Sequence, residues 1–385
     1  MKKTYITVIL WVLLYLTTKA LWYTFGILSH DDTSQSIATI EAKYNITFPM
    51  VSFIRDDYNS TAVQEVWTLA STLGTWRIYH ITLSPREYTA EQVYQWYFDR
   101  EYWLLFKHIK QNQLKVVFRT MHEMNGWRYP RSWDPEAFKK ARIHIHKLSR
   151  EAWLDQSQIL FNFSTNGWDM PNPSWYAPSQ QSPLIKCTSS IKQQQNCITR
   201  EDYYPGDMYV DIIGVSFYNR WKATSDRQRL TPQQIMEEPE FRIRERLKKP
   251  QKPIIIDEVG TTSVRYTGSY QRQRSLDHYN QQQWKSLKNQ RIKQLTQRAL
   301  SKSELVGLSY FNVDRTIWLS RENPWEADWM AINLDTKRYY EGIMQLYQWW
   351  DNDLHQLFIN PILHKKDKLG TWKHRTLARR NNTKQ

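Results

Sequence analysis

From residue 22 to residue 312 the chain alternates short β-branched or aromatic apolar runs with longer stretches whose apolar residues recur at i, i+3 and i+4. Few folds satisfy such an alternation. Each short run suits a buried strand and each longer stretch a helix that covers it, so the pattern predicts βα units around a parallel sheet. The strand candidates are 22–29, 48–55, 76–84, 114–121, 158–164, 211–218, 253–257 and 305–312. Helical period occupies 34–44, 61–73, 90–109, 135–153, 232–247 and 275–301, with a closing stretch at 337–349. The expected fold is α/β, a (β/α)8 TIM barrel forming a single catalytic domain. Ser84-Pro85-Arg86-Glu87 is expected to open the third helix, and Asp134-Pro135-Glu136 the fourth, with Pro135 at the first helical position.

No repeat of solenoid length and no Gly-Pro-Ser linker divides the chain. The expected organisation is a signal peptide or N-terminal membrane anchor over 1–20, the barrel over 21–360 and a basic, flexible tail over 361–385. Lys2 and Lys3 precede an apolar run from Tyr5 to Leu16, and Thr18-Lys19-Ala20 offers small residues of the kind a signal peptidase prefers. Export is the main expectation, to a secreted or extracellular location or to a membrane with the domain facing outside the cytoplasm. An uncleaved anchor that tethers the domain is the alternative, although the run is shorter than the roughly 18 residues of a confident span.

Cys187 and Cys197 stand in a polar stretch without nearby His or further Cys, a spacing read as a loop-closing disulfide over a zinc site, with two free thiols as the other possibility. Neither a metal nor a cofactor is expected. The connection from Thr165 to Asp207, which holds both cysteines, is far longer than an ordinary loop and reads as a functional insertion.

The net charge of +15 raises the question of nucleic acid, but its distribution argues against it. From His364 to Gln385 eight Lys or Arg face a single Asp, so about half of the excess lies in one short segment. No nucleic-acid partner is expected. The 19 Trp and 23 Tyr exceed what a core needs, and Trp168, Trp175, Trp325 and Trp329 fall in loop-like segments, where flat rings serve as stacking platforms for sugars or bases.

Glu123 follows the fourth strand candidate and Glu258 the seventh. By strand parity Arg119, Met121 and Glu123 share one face, as do Ile254, Ile256 and Glu258, and strands four and seven of an eight-stranded barrel face each other across the lumen. Two carboxylates flanking one bond are what glycosidic hydrolysis needs: a proton for the leaving oxygen, and a nucleophile or activated water for the oxocarbenium-like centre. From pattern alone an ion-pair partner and a helix cap explain the two glutamates equally well.

The wording of the motifs narrows this choice. Phe118-Arg119-Thr120-Met121-His122-Glu123-Met124-Asn125-Gly126 resembles the acid/base signature of glycoside hydrolase family 26, and Lys252-Pro253-Ile254-Ile255-Ile256-Asp257-Glu258-Val259-Gly260 resembles its nucleophile signature. Tyr203-Tyr204-Pro205-Gly206-Asp207, continuing through Asp211-Ile212-Ile213-Gly214 to Tyr218-Asn219, resembles the family's sixth-strand region. The three stand in the family's order, and the resemblance extends over roughly 22–350. It implies a retaining, endo-acting hydrolase of β-linked polysaccharide (mannan-like, mixed-linkage glucan or exopolysaccharide) and a monomer. Glu123 would be the general acid and then base, Glu258 the nucleophile. His122 and Tyr218 would bind substrate, with Tyr218 also holding Glu258; Trp127, Arg128 and Trp329 would complete the substrate contacts, and Arg119 and Asn125 would support the site.

The chain departs from the family pattern after Gly126. Where members carry any residue and then Trp-Tyr-Pro-Trp, it reads Trp127-Arg128-Tyr129-Pro130-Arg131. A guanidinium offers a charged donor fork where an indole offers an apolar face, so Arg128 and Arg131 point to an acidic or otherwise unusual glycan. Ser216 stands where relatives often place Asp. The rival expectation is a catalytically silent carbohydrate-binding or cell-envelope protein on the same barrel.

Overall fold

The structure, a computed structural model, describes residues 25–28, 33–55, 59–126, 129–167, 185–186, 197–219, 243–249, 252–261, 266–267, 275–276, 281–300, 305–313 and 357–358. Eight parallel strands close into a barrel: β1 Phe25–Leu28, β2 Met50–Arg55, β3 Ile78–Leu83, β4 Lys115–Thr120, β5 Ile159–Asn166, β6 Ile212–Asn219, β7 Ile254–Thr261 and β8 Leu305–Phe311. Each pairs with its neighbours in sequence, and β1 closes the ring against β8. The eightfold alternation of the sequence is therefore the fold. The described helices are α1 Thr33–Tyr44, α2 Ser60–Leu73, α3 Ala90–Tyr94, α4 Asp99–Gln111, α5 Pro135–Glu151, α6 Ile243–Arg246 and α7 Gln281–Leu300. Two short two-stranded ribbons, Ile185–Lys186 with Cys197–Ile198 and Tyr266–Thr267 with Ser275–Leu276, lie outside the barrel.

Local chemistry sets the element boundaries. Asn59 Oδ1 accepts from the Ala62 amide at 3.0 Å, which opens α2; its buried stripe runs Ala62, Val63, Val66, Leu69, Ala70 and Leu73, and the helix ends at Gly74, whose φ of 93° a side chain would resist. Asp134 caps α5 in the same way, with Pro135 in the first turn as expected. The third helix departs from expectation. It is two helices, α3 and α4, and the chain breaks between them at Trp96, which sits at φ 73°. Its cap is Thr89, in a reciprocal box with Gln92, while the Ser84 amide still donates to the Arg55 carbonyl at the end of β2 at 2.9 Å. Of the stretch 232–247 only the final turn is described as helix, and 337–349 lies outside the described residues.

The lumen has two levels. Its floor is apolar, built from Met50, Ile78, Val117, Leu160, Ile212, Ile255 and Val306 and closed by Leu357 and Phe358. Alternate residues of the same strands face the helices, and there Tyr102, Phe106, Phe118 and Phe161 meet ring to ring at 5.6–6.2 Å. Two and four positions further along, the inward residues become polar: Ser52, His80, Thr82, Arg119, Asn162, Ser164, Ser216 and Asp257, all buried. Polar groups at this depth must be paired to be tolerated.

Among the described residues no helix is long and apolar enough to cross a membrane, and no group of His, Cys, Asp or Glu could hold a metal ion. Cys187 lies outside the described residues, and the Cys197 side chain is likewise outside them, so the expected disulfide has no structural description.

Candidate active site

Strand β4 ends at Thr120, three residues before Glu123. Its pairing with β5 stops earlier, at Phe118 opposite Phe161, and resumes only through the Glu123 amide, which donates to the Ser164 carbonyl at 3.0 Å. Across this gap Arg142 of α5 donates to the Thr120 carbonyl at 3.2 Å and the Asn162 carbonyl at 3.0 Å, satisfying acceptors the ladder leaves open. The guanidinium is fully buried, and burial pulls its pKa down to about 10.

The peeled segment turns on two non-glycine residues in the left-handed region, Met121 at φ 51° and Glu123 at φ 53°. Each costs about 1–2 kcal/mol. The parity expected for this strand therefore fails: Met121 packs into the core between barrel and helices, and Glu123 reaches the mouth because the backbone turns beneath it. Asn125 fixes the turn to β5, donating to the Asn166 carbonyl at 3.1 Å and accepting from the Asn166 amide at 2.8 Å. Asn166 in turn donates from its side chain to Glu123 Oε1 at 3.0 Å.

Glu258 arrives by a different route. On β7 the register with β6 runs Val215 to Ile256 and then Ser216 to Glu258, so Asp257 is an extra residue in the ladder. Parity fails here as well. Ile255 faces the lumen floor, Ile256 faces the helices, and the bulge turns two consecutive carboxylates, Asp257 and Glu258, inward.

Arg119 lies between them, completely buried. Its Nη1 donates to Glu258 Oε1, its Nη2 to Ser216 Oγ at 2.6 Å, and its Nε to Ser164 Oγ at 2.7 Å, while Nε stands 3.5 Å from Asp257 Oδ2. Burial works against its charge, but the carboxylates of Glu258, Asp257 and Glu123 hold its pKa above the usual arginine range. The Tyr218 hydroxyl donates to Glu258 Oε2, so both carboxylate oxygens are engaged.

His122 is buried beside the acid candidate, and its Nδ1 has no hydrogen-bond partner among the described residues. Burial, with Arg119 and Arg131 adding to it, drives its pKa well below the ordinary histidine value, so the ring is neutral. Arg131 does not face outward as a donor fork for acidic sugars. It is fully buried, donates to the Pro85 and His122 carbonyls at 3.3 Å each, and lays its guanidinium 3.9 Å from the centre of the Tyr129 ring. An apolar neighbour drew this arginine inward and made it a clip between the loops after β3 and β4.

The structure thus brings together Glu123, Glu258, His122, Tyr218, Arg119 and Asn125. Trp127, Arg128 and Trp329 lie outside the described residues. The sequence reading missed Asn166, Ser164, Thr82, His80 and Asp257. A polar residue inside an apolar strand run was the available signal, as in Ile-Tyr-His80-Ile-Thr82-Leu, but the bulge that brings Glu258 inward beside Asp257 leaves no mark in the sequence.

No protein-family model matches the chain, and no curated protein matches it. Solved structures similar to it include a mannanase of Bacillus subtilis, at 15% identity over 82% of this chain and 88% of that one, with a TM-score of 0.43. The GH26 domain of an endo-β-mannanase/endo-β-glucanase from Prevotella bryantii is 13% identical over 76% of this chain and 86% of its own, with a TM-score of 0.42. A Podospora anserina GH26-CBM35 β-(1,4)-mannanase is 14% identical over 86% and 66%, with a TM-score of 0.43.

Proposed function

We propose that the chain is a retaining glycoside hydrolase acting on β-linked polysaccharide, with Glu258 as nucleophile and Glu123 as acid and then base. The observation that carries this reading is the environment of Glu258. A carboxylate held on both oxygens, by a buried guanidinium and a tyrosine hydroxyl, at the strand ends of a closed barrel, is oriented for attack and denied the freedom of a surface ion pair.

Register supports a shared site. Asn166, which holds Glu123, pairs with Ser216, and Ser216 pairs with Glu258, so the two carboxylates stand on one arc of the rim, their anchors two strand spacings or roughly 10 Å apart before the side chains converge.

In the first step a Glu258 oxygen bonds to the anomeric carbon as the glycosidic carbon–oxygen bond breaks, and Glu123 gives its proton to the departing oxygen. In the second, Glu123 takes a proton from water, the water oxygen bonds to the anomeric carbon, and Glu258 is released as carboxylate. The neutral His122 ring donates or accepts a hydrogen bond without adding charge beside Glu123.

The acidic-glycan preference now rests on Arg128 alone, since Arg131 is consumed internally. We also propose that the chain is exported, on the strength of Lys2, Lys3 and the apolar run Tyr5 to Leu16. The reading is tested with the chain lacking residues 1–20 on a panel of mannan, mixed-linkage glucan and uronate-containing polymers, with product stereochemistry followed by NMR. Hydrolysis with retention, abolished in Glu258→Ala, is expected. Glycan binding without turnover would instead identify a silent binding protein.

A further inference from the structure

Arg119 has two carboxylate suitors on consecutive residues of one strand. Glu258 takes Nη1, while Asp257 Oδ2 stops 3.5 Å short of Nε, whose hydrogen bond goes to Ser164 instead. An arginine fork pairs best with one carboxylate through two parallel bonds, and Nε is the nitrogen that stands nearest Asp257. Something restrains Asp257 from taking it.

Asp257 Oδ1 accepts from Asn162 Nδ2 on the opposite side at 2.5 Å, and His80 Nε2 stands 3.0 Å from the same oxygen without the alignment of a hydrogen bond. His80 is itself fixed: its Nδ1 is 3.0 Å from Ser52 Oγ, and Ser52 meets Ser309 Oγ at 2.6 Å, in a line that crosses the lumen from β8 to β2 and β3. All these side chains are buried. Gly214 supplies the space. A methyl group on its Cα would overlap both Asp257 Oδ2 and Asn162 Oδ1, so the carboxylate rests against bare backbone.

We propose that His80 is a positioning residue that draws Asp257 away from Arg119, leaving the guanidinium to orient Glu258. The inference rests on the reading of Glu258 as nucleophile, and its sign is specific. Losing the imidazole releases Asp257 to compete, so the harm comes from Asp257 and disappears with its charge.

His80→Gln is expected to lower kcat by about tenfold or more with KM changed by less than about threefold, and His80→Gln/Asp257→Asn to recover most of that loss. Gly214→Ala, whose methyl group would overlap Asp257 Oδ2 and Asn162 Oδ1 and so displace the carboxylate from its seat, is expected to act in the same direction as His80→Gln. A double variant as slow as His80→Gln alone, or a His80→Gln enzyme with unchanged kcat, overturns the proposal. If the parent protein hydrolyses no glycan, the functional reading fails, and a crystal structure of His80→Gln still decides the competition. Asp257 hydrogen-bonded to Arg119 and Glu258 released supports it, and an intact Arg119–Glu258 pair refutes it.

Discussion

Glu258 and Glu123 are held by opposite means. Glu258 is nearly inaccessible, fixed by side chains from β4 and β6, beside a cation. Glu123 stands half-buried on a left-handed turn, where the Asn166 amide side chain donates to it, with a neutral imidazole next in sequence. On the proposed reading, the difference teaches how one barrel rim would separate two roles for one residue type. A nucleophile must be aimed, which a guanidinium and a phenol provide, whereas an acid/base must exchange its proton with substrate and water, which a solvent-reachable turn allows.

Substitutions at the two carboxylates test that contrast most severely. Glu258→Ala should reduce kcat by roughly four orders of magnitude or more, measured on whichever polymer the parent cleaves, with folding checked by circular dichroism. Glu123→Ala should cost about 10²–10⁴-fold on polysaccharide, and much less on aryl glycosides whose leaving group needs no proton. Equal losses on both substrates would erase the distinction between the two glutamates. The holders come next. Tyr218→Phe removes a hydrogen bond to a charged group and should slow turnover by about 10–100-fold, chiefly in kcat. Asn166→Ala removes a single bond to Glu123 and should cost about fivefold; a loss exceeding that of Tyr218→Phe would show the acid to be the more tightly held of the two.

The smallest effect concerns pH and stability. His122 and His146 both have depressed pKa values, for His146 about 4, caused by burial with Arg150 and Arg142 adding to it. As pH falls through about 6.5 the unfolded chain protonates both rings while the folded chain leaves them neutral, so the unfolded state binds more protons and stability is lost. Urea midpoints should fall between pH 7 and 5, and His146→Gln, which leaves the mouth untouched, should flatten that slope without altering kcat at pH 7.

Much of this was legible in the chain. Strand runs such as Lys115–Thr120 and Ile254–Thr261 are apolar enough to be recognised; Glu123 follows the first and Glu258 lies within the second, toward the end where a barrel binds substrate. Arg119 and Tyr218 were nameable because they stand in motifs. The route by which each carboxylate reaches the mouth was not, since parity counts residues and both strands break the count. One peels away through two left-handed residues, and the other inserts Asp257. Arg131 was misread for a related reason: a sequence shows a charge but not the Tyr129 ring and loop carbonyls that absorb it.

What the sequence determined by itself is the barrel and the strands that carry Glu123 and Glu258 to its mouth, because hydrophobic period and strand length act locally. What only the tertiary structure decided is their surroundings. The Arg119 fork collects Thr82, Ser164, Ser216 and Glu258 from four strands, and His80 meets Asp257 across the lumen. These partners lie 37 to 177 positions apart in the chain, and only closure of the sheet brings them within hydrogen-bonding distance.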